Sequence, residues 1–293
     1  MRERPDILCI GSVLWDIIGR TDLPMAAGND KPGRITRLPG GVALNIAMTL
    51  VGQGLRPSLL SVVGDDAAGT ALLVECARMG IEVDHVLVDH NLPTDQYMAI
   101  EAQGTLLAAL ADAHSLETAG ARILEPLENG RLASRDAPWT APMAIDGNLT
   151  LELLTQIAAS PVFARADLRL APASPGKAER LKPFLSHPGA TIYVNAEEAG
   201  LISGVTTHCA ETGAEALLKA GAGRVLVTDG GRLAVDATPE RTLSRAPRQI
   251  TPRRITGAGD TFMAAHIAAE IRGDAPEAAL AHALDTAATY VAG

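Results

Sequence analysis

The sequence predicts an α/β protein with a mostly parallel central sheet covered by helices on both faces, and with a small β-sheet lid. Three observations predict it. Short apolar strands ending in turns recur along the chain, helical stretches separate them, and two regions of period-two patterning interrupt the rhythm. At 293 residues with 47% hydrophobic content, the chain can bury a sizeable core. Without an internal repeat, low-complexity tract or clear linker, 1–293 reads as a single domain, with lid strands inserted at about 14–38 and 94–111.

The elements follow in order. Ile7 to Ile10 before Gly11 reads as a buried strand ending in a turn, and Leu59 to Val63 before Gly64-Asp65-Asp66 reads the same way. Between them, Val42 to Leu50 has helical spacing, whereas Leu14 to Leu38 is rich in turn residues and reads as lid. Gln96 to Leu110, with period-two segments around Gln103-Gly104, completes the lid. Leu116 to Pro138 carries no readable pattern. Further strands are expected at Met143 to Ile145, Leu168 to Leu170, Ile192 to Val194 and Val225 to Val227. Helices are expected at Leu149 to Ala158, Ala214 to Ala220, Met263 to Ile271 and Ala275 to Tyr290.

Composition excludes several classes. With Lys+Arg 25 against Asp+Glu 34, a net charge of -9 opposes binding to a phosphate backbone, and 3% aromatic content leaves few platforms for stacking bases. No apolar run approaches the ~20 residues of a membrane-spanning helix. Met1 to Pro5 lacks the apolar core and cleavage site of a signal peptide, so a cytoplasmic location is expected. Cys9, Cys76 and Cys209 form no C-x-x-C pair and read as buried inert thiols. A dinucleotide-binding dehydrogenase is disfavoured, because the first strand ends Gly11-Ser12-Val13 rather than in a G-x-G-x-x-G turn.

The strongest chemical signal is Thr256-Gly257-Ala258-Gly259-Asp260-Thr261-Phe262, which leads into the helical run from Met263. Small residues let a ligand approach the backbone, and the N–H groups and dipole of a helix start can hold an anion such as a phosphoryl oxygen. Asp260 beside that turn suits a base that takes the proton of an attacking alcohol. The plainer alternative is a Gly-rich turn with Asp260 as a helix cap. A second Gly pair, Gly40-Gly41, opens the helix that carries Asn45, whose amide can donate to and accept from sugar hydroxyls. Asp16, after the first strand, can grip two hydroxyls; the alternatives are a surface Asn and a solvated turn Asp.

In this order, Asp16, Gly40-Gly41 with Asn45, Asn195 with Glu198, Thr228-Asp229-Gly230-Gly231 and Gly257 to Asp260 resemble the PfkB, or ribokinase-like, carbohydrate kinase family. The resemblance spans nearly the whole chain. It implies a ribokinase-like three-layer fold and ATP-dependent phosphorylation of a sugar or nucleoside hydroxyl. It also implies Asp260 as base, with Gly257, Ala258 and Gly259 as the anion hole. Asn195, Thr228, Gly230, Gly257 and Gly259 would hold ATP, and Glu198 would place Mg2+ indirectly. Ser12, Asp16, Gly40, Gly41 and Asn45 would bind the acceptor. The Asn195 and Glu198 pair could equally be an ordinary helix start.

Within the family, Asn29 to Ile35, Pro93-Thr94-Asp95-Gln96-Tyr97, Asp112, Asp146-Gly147-Asn148-Leu149, and Pro172-Ala173-Ser174 with Lys177 resemble pseudouridine kinases. That resemblance implies phosphorylation at a 5'-hydroxyl, with Thr94, Gln96, Asp112 and Asn148 near the base or sugar. Ribokinase, adenosine or inosine kinase, 2-keto-3-deoxygluconate kinase and a non-catalytic binding protein stay open as alternatives. Several residues depart from the pattern. Arg254 stands near the position of a monovalent-cation site and argues against K+ dependence. Ala171 replaces an expected Asp before Pro172, and the chain ends at Gly293 where relatives continue beside the adenine pocket, so nucleotide selectivity is expected to differ. Arg241, Arg245, Arg248, Arg253 and Arg254 read as a solvated basic edge or as an attractor for ATP. An apolar lid edge would suit a homodimer.

Overall fold

The structure is a computed structural model, and it describes residues 4–254 and 256–293. Residues 1–3, part of the stretch read as lacking a leader, lie outside the described residues. Among these, eight strands form the main sheet in the order β14-β13-β12-β11-β10-β9-β1-β4. They are β1 (Ile7–Ile10), β4 (Pro57–Leu60), β9 (Met143–Asp146), β10 (Leu168–Ala171), β11 (Ala190–Asn195), β12 (Arg224–Thr228), β13 (Ala234–Thr238) and β14 (Arg241–Arg245). The run from β4 to β12 is parallel, and β13 and β14 add an antiparallel edge.

Period-two geometry makes this sheet apolar on both faces. In β1, Leu8 and Ile10 join one core while Ile7 and Cys9 join the other. The first core packs against α3 (His114–Ala119), α4 (Leu151–Ala159), α5 (Ala196–Ser203), α6 (Ala210–Lys219) and two 3-10 segments, Gly120–Leu127 and Pro175–Phe184. The second packs against α1 (Val42–Gly52), α2 (Ala67–Arg78), α7 (Ala258–Ile271) and α8 (Pro276–Ala292). The stretch Leu116 to Pro138, without a readable pattern in the sequence, begins inside α3 and continues as the 3-10 segment as far as Leu127. Its apolar residues are few, but Leu116, Ile123 and Leu127 are all buried.

The lid is a separate sheet of β2 (Leu14–Thr21), β3 (Arg34–Gly40), β7 (Gln96–Ala102) and β8 (Thr105–Asp112), in the order β3-β2-β7-β8. Gln103 and Gly104 turn β7 into β8 with φ of 51° and 76°. The expected strand at Leu59 to Val63 is two: β4 ends at Leu60, and β5 (Val62–Gly64) leaves the main sheet to pair with β6 (Leu87–Asp89).

Cys9 and Cys76 are buried, and burial raises both thiols, Cys76 to about 12. Cys209 departs from expectation: it is partly exposed, because it starts α6 with its N–H donated to the Thr212 hydroxyl at 3.3 Å. The basic edge is structurally engaged. Arg241 pairs with the wholly buried Asp236 at 3.0 Å, and Arg248 donates to Thr289 at 2.7 Å. No described helix is long and apolar enough to cross a membrane.

Candidate active site

In an open parallel sheet the ligand crevice lies beyond the carboxyl ends of the strands. Here the ends of β1, β9, β10, β11 and β12 lead to Ser12, Asp146, Ala171, Asn195 and Thr228, and α1 and α7 begin beside them. The two Gly-started helices converge: Asn45 Nδ2 donates to Asp260 Oδ2 at 3.0 Å.

Gly257 starts α7 in the left-handed region, φ 84°, so the chain enters the helix through a turn that a β-carbon would strain. The first N–H groups of α7 have no partner within the helix and present positive charge at the mouth. Thr261 instead returns its N–H and hydroxyl to Gly257 O, at 2.9 and 2.8 Å, which fixes the turn. Asp260 is half-buried in this first turn. Loss of hydration pushes its carboxyl up to about 7; the Asn45 hydrogen bond works against that rise, and the charges of Asp146 and Glu198 add to it.

In the lid, β2 and β3 bring Asp16 opposite Leu38 and set Gly40 against the carboxylate. A β-carbon on Gly40 would lie 2.2 Å from Asp16 Oδ2. Burial raises Asp16 to about 6. The lid register gives the remaining placements: Asp16, Tyr97 and Ala111 lie across one face, and Trp15, Gln96 and Asp112 across the other. Tyr97, to which sequence reasoning gave no role, therefore takes the place beside Asp16; the Asp16 charge is one cause of its raised phenol pKa, after burial. Alternation of side chains along β7 was the signal that could have found it. Asp112 is exposed and pairs with His114 at 2.8 Å.

Two expected ligand contacts are corrected. The Ser12 hydroxyl donates to Asp146 and accepts from Val42 N at 2.9 Å and Asn148 Nδ2 at 3.0 Å. A hydroxyl has one proton and two lone pairs, so Ser12 has none left for an acceptor molecule. Thr94 is only 2% exposed; its hydroxyl donates to Asp66 at 2.7 Å and accepts from Gly64 N at 3.1 Å, tying the lid root to α2. Both hold the scaffold.

Asp146, unassigned from sequence, centres the cluster. It is fully buried and accepts from Ser12 N at 2.8 Å and Asn148 N at 2.7 Å. Asn148 in turn receives Lys177 Nζ on Oδ1 at 2.6 Å, which sets an ammonium group over the ends of β9 and β10. At the end of β11, Asn195 and Glu198 form a reciprocal cap on α5, each bond 2.9 Å, and Glu198 is raised by burial. Thr228 ends β12, and Gly230, φ 55°, has open space where a side chain would be. Among the described residues, no three His, Cys, Asp or Glu side chains gather as a metal site. Sparse carboxylates of this kind suit Mg2+ held mainly by a nucleotide's phosphates and waters.

A Gly-started helix with a carboxylate in its first turn thus lies near a second carboxylate carried by the lid sheet. The pfkB family carbohydrate kinase model matches residues 4–292, and the chain belongs to this family of sugar and nucleoside kinases, whose members imply ATP and usually Mg2+. Pseudouridine kinase of Escherichia coli is 29% identical over 90% of this chain and 83% of its own. Guanosine-inosine kinase of Exiguobacterium acetylicum is 28% identical over 98% and 94%. A carbohydrate kinase from Agrobacterium tumefaciens superposes with a TM-score of 0.80 at 25% identity, covering 96% of this chain and 89% of its own. Arabidopsis thaliana ribokinase complexed with ribose and ATP superposes at 0.77 and 20% identity, covering 99% and 93%, which establishes the ribokinase-like fold.

Proposed function

We propose that the protein transfers the γ-phosphoryl group of ATP to the 5'-hydroxyl of a nucleoside, with pseudouridine as the acceptor, giving pseudouridine 5'-phosphate and ADP. The observation that carries the reading is Asp260, poised near neutrality at the start of α7 and oriented by Asn45. Asp16 accepts two ribose hydroxyls, and Asn45 adds a third polar contact. Asp260 takes the 5'-hydroxyl proton as that oxygen bonds to the γ-phosphorus and the bond from phosphorus to the ADP oxygen breaks. First-turn N–H groups of Gly257, Ala258 and Gly259 receive the developing charge. Asn195, Thr228 and Gly230 line the ATP side. Glu198 would help to place magnesium brought in with ATP, and that ion would supply neutralisation of phosphate charge.

Lys177 and Asn148 are the groups we assign to base recognition; Gln96 and Asp112, expected there from sequence, stand on the lid face away from Asp16. The ammonium of Lys177 keeps donors for a pyrimidine carbonyl, and the Escherichia coli relative acts on pseudouridine by its name. Arg254 already brings a cation to the carbonyl of Tyr290 at 2.7 Å, so turnover is expected to be equal in K+ and Na+. The measurement is ADP release with pseudouridine, uridine, guanosine, adenosine, ribose and 2-keto-3-deoxygluconate, in each salt. Selective turnover of pseudouridine in both salts is the expected result. Turnover of another acceptor discards the specificity, tight binding without turnover returns the binding-protein reading, and activity confined to K+ overturns the role given to Arg254.

The lid face opposite Asp16 carries Ile35, Met98 and Leu110, exposed to 78%, 48% and 70%. An apolar sheet face of this kind favours pairing with a second copy. Light scattering should give twice the mass of one chain, and Leu110→Asp should give one; a monomeric wild type would remove the dimer.

A further inference from the structure

The turn before α7 is laced to the last turn of α8. Helix ends leave carbonyls without partners inside the helix, and here the loop satisfies them: Arg253 N and Arg254 N donate to Val291 O at 2.9 and 3.3 Å, and Arg254 Nε donates to Tyr290 O at 2.7 Å. The Arg254 guanidinium also stacks on the Tyr290 ring, 3.6 Å from its centroid. The phenol, so held, reaches into the turn and donates to Thr256 O at 3.0 Å. The fit leaves no slack, since a β-carbon on Gly257 would lie 2.5 Å from the phenol oxygen.

We propose that Tyr290 is a positioning residue for phosphoryl transfer: its hydroxyl fixes the Thr256 carbonyl, and through it the orientation of the N–H groups that follow. The proposal rests on reading Gly257 to Gly259 as the anion-holding turn. Rotation of the Thr256–Gly257 peptide would redirect those donors, and preorganised donors are what stabilise transferred charge. Burial and the charges of Asp260 and Asp16 raise the phenol above its usual value, outweighing the lowering by Arg254, so it remains a donor at working pH. Its place is distinct from the acceptor groups on α1 and β2.

Tyr290→Phe removes the hydroxyl and keeps the ring. With the best acceptor from the panel, kcat is expected to fall about three- to tenfold, the range of one lost neutral hydrogen bond. KM for the acceptor should stay within about twofold and Tm should hold. The second measurement is a cycle with Gly257→Ala. The added methyl meets the phenol oxygen, so Gly257→Ala should cost less in the Tyr290→Phe background than in wild type. Unchanged kcat in Tyr290→Phe, a fall that appears equally in acceptor KM, or additive losses in the cycle would each overturn the proposal. Turnover that survives Asp260→Ala would instead overturn the reading of the turn itself, so the two failures are separable.

Discussion

Asp260→Asn is expected to lower kcat by about 10²–10⁴-fold, the usual contribution of a positioned base, with acceptor binding retained. The same change should stabilise the protein at pH 8. A carboxyl whose folded pKa is raised, here from 3.8 to about 7, holds its proton more tightly in the native than in the unfolded state. Its contribution to stability therefore declines as pH rises between those values and is least favourable above 7. The neutral amide escapes that cost. Because Asp260 is partly exposed, the gain is discounted to about 1 kcal/mol, or roughly 2 °C in Tm. Steady-state kinetics and thermal unfolding at pH 5 and 8 test both halves. A variant that loses Tm at pH 8 would show that Asp260 serves chiefly as a structural cap.

The second expected result is a steep acid limb in kcat/KM. Asp16, at about 6, must be ionised to accept two hydroxyls, and Asp260, at about 7, must be ionised to take a proton. Activity therefore rises with pH, with a logarithmic slope approaching two below both values, and flattens above about 8. In Asp16→Asn the slope should reduce to one, and acceptor KM should rise about 10- to 100-fold, the scale of losing charge-assisted hydrogen bonds. Gly40→Ala should reproduce the KM rise without changing Asp16 itself, because the new methyl would displace its carboxylate. An acid limb of slope one in the wild type would remove Asp16 from acceptor binding.

Much of this was legible in the sequence, for identifiable reasons. Buried parallel strands advertise themselves as short apolar runs, and both Gly-started helices lie where the Gly pairs and following spacing put them. Local composition gives no account of saturation. Ser12 and Thr94 look like ligand hydroxyls until their partners 134 and 28 residues away are seen to use them. Asp146, named only within a motif, and Tyr290, named only as a helix end, were given no role for the converse reason, since Ser12 and Thr256, which they hold, lie 134 and 34 residues away. The edge strands β13 and β14 were missed because Asp236 interrupts the apolar residues of β13 and polar residues flank the single Leu of β14; Asp236 is tolerated there because Arg224 and Arg241 pair with it.

One connection has a further consequence. Asp16 belongs to β2 of the lid, whereas Asn45 belongs to α1 of the body, and Gly40 at the end of β3 is the joint between the two sheets' territories. A sugar that touches both residues acts as a brace across that joint, fastening the lid to the body with its own hydroxyl groups. A water molecule has no rigid frame of hydroxyl groups with which to do the same. Discrimination between acceptor and solvent is then a matter of reach.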